Sequence, residues 1–410
     1  MPQRPATARR LAAAVGLSAL ALLWLWAARA LWHSSVPADL HLPAVAPRAI
    51  FSASFLRRSA SYERLLDIDA LLEQLTLLGV LIVYARRGHR LMRESAAGRI
   101  GTGMLLGMLG FALVWLAEMP FELVRTWWER RHGVSHAGYV GSILSGFLGL
   151  GSRFLFISFA LLVAMALAGV TRRWWWLAAA PLFATLALLS TYLSIYLVPD
   201  THALSAASTR GDVRRLARRE GIAGVGAVVQ NVHRYTTAPN AESVGFGATR
   251  RVILWDTLLD GRFTRAEVDV VIAHELGHLA HDHPLKRVGW LVLFLLPAGA
   301  LVALATRRRG GLARAEAVPV AVLAFVLLQL LSAPLMNVVS RREEAEADWS
   351  ALRATRDPQA ARALFAKLAT TSLANPDPPT WAYVLYENHP TIVQRIEMAD
   401  AWQQRARGAR

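Results

Sequence analysis

A mainly α-helical, polytopic membrane protein carrying a water-soluble α+β cap is the fold class this sequence predicts, and three observations predict it. The chain is 54% hydrophobic over 410 residues, with a mean hydropathy of +0.33, more than a soluble chain of this length needs for its core. Its apolar residues gather into about seven runs, each near the roughly twenty residues that take a helix across a bilayer. Two stretches, 199–287 and 338–410, are polar enough to fold in water.

The seven runs are 11–31, 69–85, 101–119, 144–170, 174–198, 288–305 and 317–337. They divide the chain into a membrane region over 1–198, a cap over 199–287, a pair of spans over 288–337 and a C-terminal part of the cap over 338–410. The tail QQRARGAR reads as disordered. The first run follows RPATARR and ends in WAARA, so it also fits a cleaved signal peptide. Glu73 makes the second run the weakest. Arg153 in the fourth would cost about 2.5–3.5 kcal/mol facing lipid, so it reads as facing a wet interior or an interface.

The formal net charge of +16 does not imply nucleic acid, because the arginines sit in short clusters beside apolar runs and no binding motif accompanies them. Lipid headgroups are the partners that such clusters fit. Only Lys286 and Lys367 are lysines among 45 basic residues, which reads as composition bias. The chain has no cysteine, so disulfides, thiolate ligands, a cysteine nucleophile and a prenylated C-terminus are excluded. Any metal must be held by histidine and carboxylate.

Within the cap, GDVRRLARREGI has helical spacing, and VGAVVQNV and RRVILWDTLL read as short strands. TRAEVDVVIAHELGHLAHDH reads as one long helix, with Thr264 as N-cap and Glu267 completing a capping box. On that helix His274 and His278 stack about 6 Å apart and can share one tetrahedral zinc. Glu275, offset by one residue, lies beside the metal, where it can take a proton from water whose pKa zinc lowers to roughly 7. A catalytic zinc needs a third protein ligand, and SRREEAEAD, residues 340–348, is the acidic cluster placed to supply it. Helical spacing puts Glu344 and Asp348 on one face, Glu344 as ligand and Asp348 as the group that orients a ligating histidine. Glu343 and Glu346 read as solvated charges, His281 as solvated, and His283 as packed against the cap.

These residues resemble, over roughly 65–400, the integral-membrane zinc metallopeptidases of the type I CAAX prenyl endopeptidase kind, which are related to the bacterial heat-shock membrane protease. HELGH followed by His283 matches that family's zinc helix, and SRREEAEAD matches its third-ligand segment, which selects Glu344. PFELVRTWWERRHGVS, from Pro120, is similar to its membrane-loop motif. PNAESVGFGATRRVILWDTLL is similar to its edge-strand segment, so the resemblance puts Asn240 and Ala241 on the substrate cleft. NHPTIVQRI matches its C-terminal motif, which puts His389 and Arg395 near the zinc as groups for the oxyanion. From sequence His389 equally fits a cap for the helix beginning at Thr391. The resemblance implies a helical barrel around a large water-filled chamber, closed by a zincin-like α+β domain. Where the family carries aromatic residues after the Asn-Ala pair, this chain has Glu242 and Ser243.

The reading is therefore a zinc-dependent endopeptidase with one Zn2+ per chain, acting on peptides near the bilayer in a bacterial cell membrane. A membrane scaffold or transporter of the same fold is the alternative, and it would not require the full ligand set. An intramembrane protease of the site-2 kind would place HExxH inside an apolar span and a Leu-Asp-Gly ligand after it, whereas LLDG here precedes the zinc helix. On orientation two arguments collide. The resemblance implies a cytoplasmic cap, whereas fourteen arginines on the opposite side against seven on the cap side favour a cap outside the cytoplasm.

Overall fold

The structure, a computed structural model, describes residues 4–90 and 98–408. The side chains of 4–10, 12–14, 17 and 144–156 lie outside the described part, so the reading of Arg153 does too, as does Arg93 in the arginine count. The helices among the described residues are α1 Arg4–Leu31, α2 Ala53–Arg87, α3 Gly98–His132, α4 Tyr139–Thr171, α5 Trp175–Leu197, α6 Ala207–Arg219, α7 Arg265–Ala280, α8 His283–Thr306, α9 Val318–Thr355, α10 Pro358–Ser372, α11 Thr380–Leu385 and α12 Ile392–Gly408. The strands are β1 Thr201–Ala203, β2 Gly226–Gln230, β3 Ala241–Val244 and β4 Arg251–Trp255.

Five segments among the described residues are long and apolar enough to cross a membrane: Ala53–Arg90, Gly98–His132, Ile157–Leu197, His283–Arg309 and Ala315–Thr355. The turn at Arg172–Trp174 joins the runs of α4 and α5 into one of these five stretches, and the described apolar part of α1 is Ser18–Leu31. Contacts run from α2 to α3, α4, α5, α8, α9 and back to α2, so these six helices close a ring. In α3 the spacing Gly103-x-x-x-Gly107 lets α4 press against its backbone, where Met165 and Leu161 occupy the space side chains would need. Helix α1 lies on α8: the Trp24 indole donates to the Leu293 carbonyl (3.0 Å), and Trp32 meets Trp290 edge to face.

Several helices outrun their apolar stretches. α2 starts at Ala53 and pairs Glu73 with Arg125 of α3 at 2.9 Å, with Glu122 at 3.1 Å on the same guanidinium. A charge in a spanning helix is thereby neutralised by a neighbour. The segment from Pro120, expected as a loop, is instead the last part of α3, which continues through Pro120 to His132. α9 carries the apolar run 317–337 straight on through SRREEAEAD to Thr355. At 1.5 Å per residue, Glu344 stands roughly 10 Å beyond the end of that run. One rigid helix thus fixes the depth of the site relative to the membrane.

The cap sheet has the order β1-β2-β4-β3, with β2 and β4 parallel and β3 antiparallel to β4 along the outer edge. α7 packs on it, and Val252, Leu254, Ile272, Ala273 and Leu276 are fully buried in the shared core. α10 and α12 complete the layer. The C-terminal stretch expected to be disordered is helical to Gly408, because Ile396, Met398 and Ala399 bury one face of α12 in the same core.

Candidate active site

α7 starts as its sequence dictates. The Thr264 hydroxyl accepts from the Glu267 amide (3.3 Å), and the Glu267 carboxylate accepts from the Thr264 amide (2.7 Å) and from Lys367 (2.6 Å). The helix does not run on to His283. Asp282, at φ 53°, takes the left-handed conformation, so α7 stops at Ala280 and α8 begins at His283. That break turns His283 back over His278. Gly277, inside the HELGH motif, faces α9, where an added Cβ would meet Ser350 Cβ at 3.0 Å and the Ala347 backbone at 3.3 Å. Its missing side chain lets α9 come close enough for Glu344 to reach the histidines.

His274, His278 and Glu344 are all buried, and a ligating atom from each lies within 4.8 Å of the others. His274 Nε2 is 3.1 Å from Glu344 Oε2 and 3.1 Å from His278 Nε2, and His278 Nε2 is 3.4 Å from Glu344 Oε1. A tetrahedral ion with bonds near 2.0–2.1 Å holds its ligand atoms roughly 3.3 Å apart, so the spacing fits. Donor chemistry agrees. The outer nitrogen of His274, Nδ1, donates to Asp348 Oδ1 at 2.8 Å, which turns the Nε2 lone pair inward, toward a carboxylate and a second imidazole. Burial disfavours charge on His274, but the Asp348 and Glu344 carboxylates outweigh it and push its pKa up to about 10. A field that favours a proton there equally suits a cation.

Of the other expected residues, Glu275 is buried beside the pair on α7. His389 is half exposed, and its Nε2 lies 3.3 Å from Glu344 Oε2 at the rim. It does not cap α12, whose start is closed by Thr391 and Gln394 bonding reciprocally at 3.1 and 3.0 Å. Arg395 grips Asp348 through Nε (2.8 Å) and Nη2 (2.6 Å), with its guanidinium over the Phe365 ring. Asn240 and Ala241 lie at the start of β3. The Asn240 carbonyl accepts from the Trp255 amide, which by antiparallel alternation turns the N–H and C=O of Ala241 and Ser243 toward the open edge. Glu242 is exposed on that strand. Its carboxyl is held above the usual range, first by the protein around it and then by the charge of Glu275.

Two readings are corrected. Glu343 and Glu346 are not solvated; both are buried, Glu343 against Arg287 (2.9 Å) and Glu346 against His283 (3.0 Å) and Lys286 (3.3 Å). Helical spacing gives the face a residue occupies, whereas what covers that face comes from α8 and from residues 33–35, distant in sequence.

Residues 204–403 match the model of Peptidase family M48. That segment, just under half of the chain, holds His274, His278 and Glu344. Among curated relatives it is 28% identical over 242 residues to "Uncharacterized metalloprotease YhfN" of Bacillus subtilis, covering 56% of this chain and 57% of that one. It is 29% identical over 166 residues to "CAAX prenyl protease 1 homolog" of Oryza sativa, covering 38% of this chain and 39% of that one. To the protein of the same name in Arabidopsis thaliana it is 30% identical over 174 residues, covering 39% and 40%. The chain thus spans between two fifths and three fifths of the length of these relatives. Its fold is that of the crystal structure of S. mikatae Ste24p, with a TM-score of 0.69, 17% identity, and coverage of 92% of this chain and 96% of that one. The likeness is thus one of fold over nearly the whole chain and of sequence over residues 204–403.

Proposed function

We propose that this protein is a membrane-embedded zinc endopeptidase that hydrolyses peptide bonds of membrane-associated proteins. The observation that carries the reading is the buried convergence of His274 Nε2, His278 Nε2 and Glu344, next to Glu275 and below an open strand edge. His274, His278 and Glu344 would hold the zinc, which when bound makes water acidic enough to attack near neutral pH and polarises the scissile carbonyl. An extended substrate adds to β3 through the free backbone groups of Ala241 and Ser243, which bind many sequences alike, with Asn240 beside them. Glu275 takes the proton from the attacking water and returns it to the leaving amine. His389, at the rim, is the side chain placed to steady the developing oxyanion, and Asp348 with Arg395 holds His274 in register. We place the protein in a bacterial cell membrane, where quality control or maturation of membrane proteins fits it better than prenyl processing.

The experiment is zinc content and cleavage by the detergent-purified full chain, using a prenylated CAAX peptide and an unmodified one. Wild type should hold one zinc and cleave the unmodified peptide. Glu275→Gln should keep the zinc and lose about 10²–10⁴-fold in rate, and Glu344→Ala should lose the zinc. Cleavage that depends on the prenyl group would replace the substrate reading, and wild type without zinc would overturn the whole.

A further inference from the structure

His278 has no carboxylate on its outer nitrogen, unlike His274 with Asp348. Its Nδ1 instead lies 2.7 Å from the Nδ1 of His283, a ring with no exposed surface. His283 Nε2 in turn lies 3.0 Å from Glu346 Oε2. The far end of this chain is fixed by donors: the Ser35 amide reaches Glu346 Oε1 at 2.5 Å, and Lys286 Nζ reaches Oε2 at 3.3 Å. His281, stacked on His283, also faces Glu346, with its Nδ1 3.5 Å from Oε1.

We infer that His283 and Glu346 form a hydrogen-bond relay that sets the tautomer of His278 and thereby its fitness as a metal ligand. The inference rests on the zinc reading of the site. A carboxylate that an amide and an ammonium already address can only accept, so His283 Nε2 must donate to it. A neutral imidazole then has only a lone pair on Nδ1. Two ring nitrogens 2.7 Å apart cannot both present lone pairs, so His278 Nδ1 carries its proton and donates to His283. The consequence is a lone pair on His278 Nε2, directed at His274 and Glu344. His283 and Glu346 touch neither substrate nor metal and are positioning residues. Because the Ser35 amide follows α1 in the chain, the relay also ties the N-terminal segment to the metal site.

The test measures zinc affinity by chelator competition on the detergent-purified full chain. It is paired with the visible spectrum of the cobalt-substituted protein and thermal unfolding of the metal-free protein. His283→Phe, which fills the space without the hydrogen bonds, should weaken zinc about 10–100-fold and shift the cobalt bands. His283→Gln, whose amide can accept from His278 and donate to Glu346, should recover most of the affinity. His281→Ala, which removes the ring stacked on His283 but keeps the hydrogen bonds of the relay, should weaken zinc less than His283→Phe does. Wild-type affinity in His283→Phe, or equal loss in His283→Gln, would overturn the relay. Should the His283 variants fail to fold, nitrogen-15 histidine spectra of wild type decide, since a proton on His283 Nδ1 rather than Nε2 contradicts the proposal. A wild type that takes up no zinc fails the metalloprotease reading itself, whereas a zinc-binding wild type with an indifferent His283 fails only the relay.

Discussion

Arg395 grips Asp348 with the Nε–Nη2 edge of its guanidinium, at 2.8 and 2.6 Å, and stacks on Phe365. It therefore acts on His274 through Asp348. Arg395→Met leaves a buried carboxylate facing only His274, and losing one member of such a pair costs about 3–5 kcal/mol. The expected outcome is a lower unfolding midpoint together with weaker zinc binding, read by calorimetry and chelator competition. Unchanged zinc affinity with a lower kcat would return Arg395 to the oxyanion role that the resemblance implied. The same residue marks the boundary of what the sequence discloses. Four-residue spacing on one helix was enough to pair His274 with His278 and Glu344 with Asp348, because those relations are local. That Arg395 points at Asp348, and that His283 and Glu346 lock His278, depends on three helices and residues 33–35 meeting, and no spacing encodes that.

At the scale of elements, α7 is anchored at its first turn by acids held ionised. Burial raises the Glu267 carboxyl, but the bonds from Lys367 and Thr264 outweigh it, and the net pKa lies below the ordinary 4.5. At Asp212 of α6, the hydrogen bond from Arg265 is the largest effect; burial opposes it, Arg215 adds to it, and the pKa falls below 3.8. A folded pKa below the unfolded one contributes stability that is complete above the unfolded value and disappears as pH falls through the folded one. Midpoints measured from pH 7 to pH 3 should therefore hold above about 5 and fall below about 4.5. Glu267→Gln should start lower and fall less steeply, because the ionisable partner is gone; a parallel curve would show that Glu267 does not contribute to the acid limb. The capping box was legible because Thr264 and Glu267 are three residues apart, as were β2 and β4 through their apolar, β-branched runs, whereas β1, three residues long, was not, and β3 came from the resemblance alone. Nor was the end of α7 legible. His281–Asp282–His283 carries no glycine or proline ahead of the break, and Asp282 adopts its left-handed turn because α8 must leave in a new direction.

At the scale of the whole molecule, the arginine-rich turns and the metal site mark opposite ends. The turns at Gly88–Arg90 and Arg307–Arg309 both contact the turn at Ala315–Ala317, where α9 starts, and α9 carries Glu344 at its far end. Arginine held on the cytoplasmic side by the positive-inside bias would then leave the cap outside. The chain has no cysteine, so single cysteines report cleanly. In intact cells a membrane-impermeant maleimide should label Asp377→Cys, exposed between α10 and α11, and spare Glu316→Cys, exposed at the opposite turn. The reverse pattern would place the cap in the cytoplasm and show that arginine number does not set the orientation. The result also bears on substrate. A site about 10 Å past the end of the apolar run of α9 reaches chain segments on its own side of the bilayer. An outward cap therefore restricts the protease to segments that have crossed the membrane, so labelling and peptide preference must agree if the reading of this site is right.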